Sequence, residues 1–256
     1  MKAFGEINND LMRAIAPKAG RRELLPELSP EAQLALMCRM LFQEGWDDHI
    51  AGHISWRQPD GSLLTNPWEL AWDEVCTSDI VRLDADGKHL SGEWNVTPAI
   101  GLHLQLHKAR EDAHVVLHNH PKWSGLWAAA GQVPDAHDQS SAYVDGPLPL
   151  VNEYKGTFDD RDLTASLVEE LSDAKWALLA HHGALVIAKD LRQCHLRAIT
   201  LEWRSRRAWE VKQLGGGEAL SEQQVEQVAL PDANGFPFLI EAMARRELRR
   251  DSGVLD

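Results

Sequence analysis

The sequence predicts a single α/β domain, in which a central antiparallel β-sheet is flanked by helices on both faces. Two segments, HISWRQPDGSLLTN (53–66) and DIVRLDADGKHLSG (79–92), each join two short extended runs through an Asp-Gly turn. This pattern is typical of hairpins, and hairpins imply antiparallel pairing. Helical patterns are interspersed with the strands and must cover both faces of a mostly buried sheet. No internal repeat or low-complexity linker divides the chain.

The N-terminal part is predicted to be an arm followed by a capped helix. We expect residues 1–28 to form the arm, residues 29–214 the folded domain, and residues 215–256 a helical tail rich in Arg and Glu. Ser29-Pro30 supplies an N-cap and a first-turn proline for the helix EAQLALMCRMLFQEG, which should stop at Gly45.

Helices and strands alternate along the rest of the domain. Thr97-Pro98 is expected to cap a helix, and a strand, a short helix and a turn-rich stretch should follow. The predicted segments are IGLHLQLHKARED (100–112) as helix, HVVLHNH (114–120) as strand, WSGLWAAAG (123–131) as helix, DDRDLTASLVEELSD (159–173) as helix, WALLAHHGALVIAKD (176–190) as two strands, and a long helix over 191–214.

Composition restricts the partners that the protein can have. Hydrophobic residues make up 44% and charged residues 25% of the 256 residues, as in soluble globular proteins. A net charge of −13 argues against nucleic acid or an anionic membrane as a partner, because both would repel it. No apolar stretch approaches the ~20 residues of a membrane span. The 3 cysteines form no CxxC pair, and the N-terminus lacks a signal-peptide core, so we expect a cytoplasmic protein.

The triplet His118-Asn119-His120 follows the apolar run AHVVL and is the first candidate for a functional site. Residues i and i+2 of a strand project from the same face, so the two imidazoles should converge on one point. Two converging imidazoles form half of a plausible metal site. A polar strand end near solvent is the alternative.

A catalytic metal site needs a third protein ligand and an open coordination position. His182 is the better candidate because it lies where an apolar strand breaks at a glycine, although spacing alone does not separate it from His181. His103 and His107 lie at i and i+4 of a helix and could bind metal separately, but we expect His107 at the solvent edge.

Three segments together resemble the class II aldolase/adducin superfamily: AGHIS (51–55), HNHP (118–121) and LLAHHGALVI (178–187). The resemblance implies a divalent metal held by His118, His120 and His182, with zinc the commonest ion and manganese or iron as alternatives. His181 then occupies a place usually taken by Asn. The resemblance also implies an antiparallel sheet between helices and a homotetramer with the site near a subunit boundary.

Departures from the family pattern indicate the kind of substrate. The family's acid/base Glu falls on Ala99, a phosphate-binding Ser on Pro98, and the phosphate-binding Thr-Gly pair on Pro67-Trp68. Because a phosphate needs several donors or a flexible glycine loop, the substrate should not be a sugar phosphate. His53, in place of a family Asn, and Trp68 fit a flatter, aromatic molecule bearing a carboxylate; alternatively, Trp68 is a core residue.

The resemblance also suggests how protons move, since the family has a tyrosine acid after the HxH strand. The predicted catalytic residues are Tyr154 as general acid and His103 as proton carrier, and the predicted substrate-binding residues are His53, Ser55, Trp68, Lys122 and Gln139. His103 could equally be a core residue, and Lys122 could face solvent.

Three hypotheses follow for a small-molecule site. The first is a metal-dependent lyase, a decarboxylase or aldolase, that acts on a non-phosphorylated carbonyl or carboxylic acid through a metal-stabilised enolate. The second is a non-heme Fe(II) oxygenase on the same fold. The third is a non-catalytic, adducin-like binding module.

Overall fold

The computed structural model describes residues 27–151, 167–230 and 238–256, which contain one eight-stranded sheet. The strand order across the sheet is β4-β3-β2-β1-β5-β8-β7-β6. The strands are β1 His53–Arg57, β2 Leu63–Thr65, β3 Val81–Leu83, β4 His89–Ser91, β5 Val115–Asn119, β6 Leu150–Val151, β7 Trp176–Leu179 and β8 Gly183–Ala188.

Both predicted hairpins are present, and nearly all pairs of strands are antiparallel. β1 pairs with β2 through the Asp60-Gly61 turn, and β3 pairs with β4 through the Asp86-Gly87 turn. The exception to the antiparallel prediction is β6, which pairs with β7 in parallel. The expected two-strand segment WALLAHHGALVIAKD forms the antiparallel pair β7–β8.

Helices cover both faces of the sheet, as predicted. The α-helices with fully described bounds are α1 Pro30–Gln43, α2 Ile100–Ala109, α3 Lys122–Ala129, α4 Leu191–Gln213, α5 Glu222–Val228 and α6 Leu239–Arg250. Of the helix expected over 159–173, residues 167–171 lie within the described part and are helical.

The first helix begins and ends as its sequence indicates. Ser29 Oγ accepts a hydrogen bond of 3.1 Å from the backbone N–H of Ala32, and Pro30 is the first helical residue. Gly45 follows the helix with φ of +93°, a left-handed conformation that costs a glycine little.

The second helix begins at Ile100, where the predicted segment begins, and ends at Ala109, three residues before the predicted end. Its N-cap is Ala99, whereas the sequence predicts Thr97 as the capping residue. Thr97 Oγ1 accepts from the backbone N–H of Ala99 at 3.2 Å, so its side chain closes a turn ahead of the helix. Ala99 is the N-cap residue and has no side-chain acceptor to offer.

Two layers of apolar packing enclose the sheet. Alternate residues of β5, such as Val115 and Leu117, pack with α1, α3 and α4 on one face, and Val116 packs with Leu102 and Leu106 of α2 on the other. This alternation is what a strand buried on both faces requires. The His118 side chain lies on the α2 face, because it is two residues beyond Val116.

The C-terminal segment contacts α1. Val254 and Ala244 are buried within the same apolar cluster as α1. Arg39 of α1 donates to Asp251 at 2.6 Å. The division of the chain at residues 28 and 214 remains a prediction.

Within the described ranges, every helix is too short or too polar to cross a lipid bilayer.

Candidate metal centre and active site

The ends of three neighbouring central strands lie side by side and bring distant histidines together. β1 begins at His53, β5 ends at Asn119 and β8 begins at Gly183, and antiparallel pairing sets these ends side by side. His53 lies directly opposite His118 in the β1–β5 register. Directly paired residues of antiparallel strands project from the same face, so both rings face the space under α2.

His118, His120 and His182 form a cluster that could hold a metal ion. Their candidate ligand atoms all lie within 4.8 Å of one another. The ring of His182 lies 4.7 Å from that of His118 and 4.7 Å from that of His120, between centroids. The structure therefore brings together the three residues that the family resemblance indicates as ligands, and it leaves His181 exposed at the turn.

Two hydrogen bonds orient the rings of His118 and His120. His118 Nδ1 lies 3.0 Å from the carbonyl oxygen of Ala184, and His120 Nδ1 lies 2.8 Å from Oδ2 of Asp48. Since both partners are acceptors, each Nδ1 carries a proton and donates it. In the neutral rings, the lone pair is then on Nε2, the nitrogen suited to a metal.

The geometry of these two rings fits a cation. The two Nε2 atoms face each other at 3.2 Å, although in the neutral rings neither has a proton to share. Two ligand nitrogens on one tetrahedral zinc ion lie roughly 3.3 Å apart, given a Zn–N bond of about 2.0–2.1 Å. A divalent cation would convert this repulsive approach of two lone pairs into coordination.

Electrostatics favour the neutral forms that metal binding requires. Burial, followed by the neighbouring histidines, holds the pKa of His118 well below 6.5. Burial, followed by His120, lowers the pKa of His182 to about 4. Both imidazoles are therefore neutral near pH 7, and with three neutral ligands a divalent ion would retain its full charge.

A second group of histidines extends behind this cluster. The ring of His53 lies 4.8 Å from that of His118, between centroids, and its Nδ1 lies 2.6 Å from Nε2 of His103. Ser55 Oγ lies 2.7 Å from His103 Nδ1 and 2.7 Å from His107 Nε2. His107 Nδ1 lies 2.6 Å from the carbonyl oxygen of Ala113.

The structure corrects one expectation about these residues, and the site roles of two others remain predictions. Ser55 is 0% exposed and contacts two histidines, and its binding to a substrate remains a prediction. His103 is also 0% exposed and lies behind His53, and its role as a proton carrier remains a prediction. His107 is buried rather than at the solvent edge, because the chain turns after α2 and brings the Ala113 carbonyl to its ring.

The remaining predicted residues lie in different surroundings. Trp68 is 42% exposed, which rules out the core alternative for it. Lys122 is exposed at the start of α3 and lies over the ring of Trp123, and it lines a cavity of about 500 Å³ whose lining includes no histidine. Gln139 is exposed at the start of a 3₁₀ turn, Gln139–Ala142. Tyr154 lies outside the described residues.

The position expected to hold an acid/base carboxylate has no functional group. Ala99 is the N-cap residue of α2, four residues before His103, and its methyl group can neither move a proton nor reach a metal. Pro67 lacks a backbone N–H, so this loop offers an anion one donor fewer. Among the described residues, these two positions therefore offer fewer groups that could hold a phosphate.

Two acidic residues that the sequence interpretation passed over support the site. Asp48 holds His120 from a loop 72 positions away, a contact that no spacing rule indicates. Glu202 of α4 is buried and accepts hydrogen bonds from the backbone N–H groups of Trp123 and Ser124 and from Ser124 Oγ. It thereby holds the start of α3, which follows the His118-Asn119-His120 segment. For Glu202, the sequence does offer a sign of such a role, because the residue is an acidic one on the side of a helix that is expected to be buried.

Comparisons with known proteins give a consistent result. The family model described as "Class II Aldolase and Adducin N-terminal domain" matches residues 32–209. The chain is 31% identical over 238 residues to a 3,4-dihydroxyphthalate decarboxylase of Arthrobacter keyseri, covering 86% of this chain and 93% of that protein. It is 28% identical over 200 residues to an L-fuculose phosphate aldolase of Haemophilus influenzae, covering 75% and 88% respectively.

Structural comparison agrees with the sequence matches. An aldolase II superfamily protein from Pseudomonas syringae superimposes with a TM-score of 0.77 at 25% identity, covering 90% of this chain and 98% of that one. Because the family model spans well over half of the sequence and the fold agrees, the chain belongs to the class II aldolase and adducin N-terminal domain family.

Proposed function

We propose that this protein is a divalent-metal-dependent lyase that decarboxylates a non-phosphorylated aromatic carboxylic acid. The observation that carries the proposal is the convergence of three histidine side chains, whose candidate ligand atoms lie within 4.8 Å of one another at the ends of neighbouring strands. They lie beside His53, and position 99 has no acidic side chain. The relative that matches the chain over 86% of its length, a decarboxylase of a dihydroxy aromatic diacid, supports this choice over aldol cleavage.

His118, His120 and His182 would hold the metal, for which we propose zinc. A bound divalent ion would supply positive charge that stabilises negative charge developing on a substrate oxygen. Asp48 and the Ala184 carbonyl fix the two rings so that their Nε2 atoms face the same point.

The substrate is proposed to lack a phosphate because the family's phosphate-binding positions are altered. Pro67 and Pro98 offer no backbone N–H, and Trp68 presents an exposed indole instead of a flexible glycine. An indole favours a flat apolar ring by stacking. Lys122 and Gln139 remain proposed contacts for substrate polar groups, and Tyr154 remains the proposed general acid.

The test is a screen of aromatic carboxylic acids against zinc-loaded protein under nitrogen, with CO₂ release as the measurement. We expect CO₂ from at least one dihydroxylated aromatic acid and no cleavage of L-fuculose 1-phosphate. His118→Ala should lose bound metal and CO₂ release while it keeps its far-UV circular dichroism.

Other outcomes would replace the proposal. Turnover only with iron and oxygen would establish an oxygenase, and cleavage of an aldol without CO₂ release would establish an aldolase. Protein that binds no metal after loading would be a binding module, as in the adducin branch.

We also propose that the protein acts as a cytoplasmic homotetramer. In its support, large apolar side chains are exposed on neighbouring helices, among them Leu126 of α3 and Trp203 and Trp209 of α4. Light scattering after size-exclusion chromatography should give four times the chain mass of 28.6 kDa. The mass of a single chain would refute this assembly.

A further inference from the structure

A buried row of four side chains ends at the metal site and begins at a backbone carbonyl. From the far end, the order is the Ala113 carbonyl, His107, Ser55, His103 and His53. The separations between consecutive atoms are 2.6, 2.7, 2.7 and 2.6 Å. Each contact is short enough for a hydrogen bond, so each needs one donor and one acceptor.

The carbonyl determines the direction of the first two hydrogen bonds. A carbonyl oxygen only accepts, so His107 Nδ1 carries a proton and donates it to Ala113. Burial lowers the pKa of His107 to about 4, and the ring is therefore neutral near pH 7 with a lone pair on Nε2. The Ser55 hydroxyl must then donate its single proton to His107.

The same reasoning fixes the next two bonds. Since the Ser55 proton is used, Ser55 Oγ accepts from His103 Nδ1. His103 is fully buried and neutral, because burial, followed by His107 and His118, holds its pKa well below 6.5. Its Nε2 is therefore an acceptor, and His53 Nδ1 must donate to it.

The row leaves one nitrogen of His53 for the site. The ring of His53 packs against that of His118, with centroids 4.8 Å apart. Its ring thus borders one of the three proposed ligands. With the proton held on Nδ1, the second nitrogen of His53, Nε2, carries a lone pair.

We propose that this row makes His53 a hydrogen-bond acceptor for the substrate, so that the protein selects acids carrying a hydroxyl group at that point. The inference deepens the proposed function and rests on the substrate binding beside the three histidines. The direction of the last bond is set at the Ala113 carbonyl, four hydrogen bonds from the site. Ser55, His103 and His107 are positioning residues that act through His53.

The reverse arrangement is unfavourable. If His53 carried its proton on Nε2, two unprotonated nitrogens would face each other at the 2.6 Å contact with His103. The row would have to reverse throughout, which would leave His107 Nδ1 unprotonated against a carbonyl oxygen. An unmade buried hydrogen bond costs about 1–3 kcal/mol.

Nuclear magnetic resonance of histidine ring nitrogens tests the direction without any substrate. In ¹⁵N-labelled, zinc-loaded protein, we expect His53, His103 and His107 all to carry the proton on Nδ1. A proton on Nε2 of His53 would overturn the inference, whatever reaction the protein catalyses.

Binding of an inert pair of probes tests the consequence. The pair is 2-hydroxybenzoate and 2-methoxybenzoate, measured by isothermal titration calorimetry on zinc-loaded protein. Wild type should prefer the hydroxyl compound. Loss of one hydrogen bond worth about 1 kcal/mol should reduce the preference about fivefold in Ser55→Ala and in His107→Asn. Asparagine keeps a donor for the Ala113 carbonyl but is too short to reach Ser55 as well.

Matched controls separate the row from the metal and from general damage to the fold. In every variant with full zinc content, the zinc ion has the same affinity for the hydroxyl group of the probe. A change between variants in the preference for 2-hydroxybenzoate over 2-methoxybenzoate therefore reports on the row of hydrogen bonds. His195→Asn alters another buried histidine on α4 and should keep the wild-type preference. An unchanged preference in folded, zinc-loaded Ser55→Ala and His107→Asn, or no binding of either probe to wild type, would refute the inference. Failure of CO₂ release alone would refute only the proposed reaction.

Discussion

At the scale of single residues, Asp48 shows how a carboxylate outside the proposed ligand set could support a metal site. One oxygen, Oδ2, accepts from His120 Nδ1 at 2.8 Å, and the other, Oδ1, lies 2.8 Å from Nδ1 of His49. The first contact fixes which nitrogen of His120 faces His118. The second contact joins the carboxylate to a ring on the surface.

Asp48→Ala should weaken zinc binding by about 10–100-fold, because His120 would lose the acceptor that sets its tautomer and ring orientation. Competition with a chromophoric chelator measures the affinity. The matched control is His49→Ala, which removes the other partner of the same carboxylate and should leave zinc affinity unchanged. Equal losses in both variants would show that the loop, rather than the Asp48–His120 bond, supports the metal.

His195 provides a test of burial that is independent of the site. It is 1% exposed, and neither ring nitrogen has a hydrogen-bond partner among the described residues. Burial lowers its pKa to about 4. In the unfolded chain it takes up a proton below about 6.5, whereas in the folded protein it does so only near 4. Proton uptake by His195 therefore leaves the stability of the fold unchanged above about pH 6.5 and lowers it progressively as the pH falls towards 4.

His195→Leu should be neutral or slightly stabilising at pH 7.5, because an apolar side chain leaves no buried polar atom unsatisfied. Its advantage over wild type should grow on acidification, up to the order of 3 kcal/mol near pH 4. Urea denaturation at a series of pH values gives both free energies of unfolding. A difference that does not vary with pH would show that burial does not lower the pKa of His195 in the folded protein.

Sequence reasoning at this scale identified residue types more reliably than their contacts. The His118-Asn119-His120 and His182-Gly183 patterns are local and could be recognised directly. Ser55 and His103 are predicted site residues because they lie in or near recognised motifs. Their contact with each other comes from the packing of α2 on β1, which joins residues 48 positions apart, and no local pattern indicates it.

At the scale of elements, the turn between β7 and β8 shows why glycine follows His182. A Cβ atom on Gly183 would lie 2.5 Å from the carbonyl oxygen of Asn119 and 2.5 Å from Cδ2 of His120. Strand β8 therefore starts in contact with β5 at the point where the ring of His120, a proposed metal ligand, leaves the sheet. In the same turn, His181 has φ of +58°, a conformation that Asn and Gly adopt more readily than other residues. This geometry would suit the Asn that the family resemblance leads us to expect at that position.

Gly183→Ala should displace the His120 ring and lower zinc affinity, with a loss of about 1–3 kcal/mol of stability from overpacking. Metal content after dialysis and thermal unfolding measure the two effects. Gly125→Ala is the control, since the added Cβ would lie 3.8 Å from the backbone carbon of His120, an ordinary contact, in a helical position that favours alanine. Similar effects in both variants would contradict the steric explanation.

Most elements could be predicted because their signals are local: the two Asp-Gly turns, the Ser29-Pro30 cap and the apolar run before His118. The N-cap of α2 was predicted at Thr97 instead of Ala99, because Thr97 closes a preceding turn with the same kind of side-chain hydrogen bond. The parallel pairing of β6 could not be read from two residues of strand, since its partner is chosen by the fold.

At the scale of the whole molecule, the C-terminal segment packs like part of the main fold. Ser78 N–H donates to the carbonyl oxygen of Asp256 at 2.9 Å, and Thr77 Oγ1 donates to that of Val254 at 2.9 Å. Arg39, 3% exposed, donates to Asp251 as well as to the backbone carbonyls of Glu74 and Val75. The sequence predicts a helical tail here, and a charged helical pattern gives no sign of what its apolar side contacts.

We therefore expect residues 238–256 to unfold together with the sheet, and two adjacent residues allow a matched test. Val254 is fully buried against the cluster that includes α1, whereas Leu255 is 40% exposed. Val254→Ala should lower the free energy of unfolding by about 2 kcal/mol, and Leu255→Ala should change it by no more than about 0.5 kcal/mol. Both variants should keep full zinc content, because α1 lies on the sheet face opposite the histidine cluster. Urea denaturation followed by tryptophan fluorescence and by circular dichroism should give one coincident transition. Two separate transitions, or equal small effects of the two substitutions, would show that the C-terminal segment is an appendage to a domain that is stable without it.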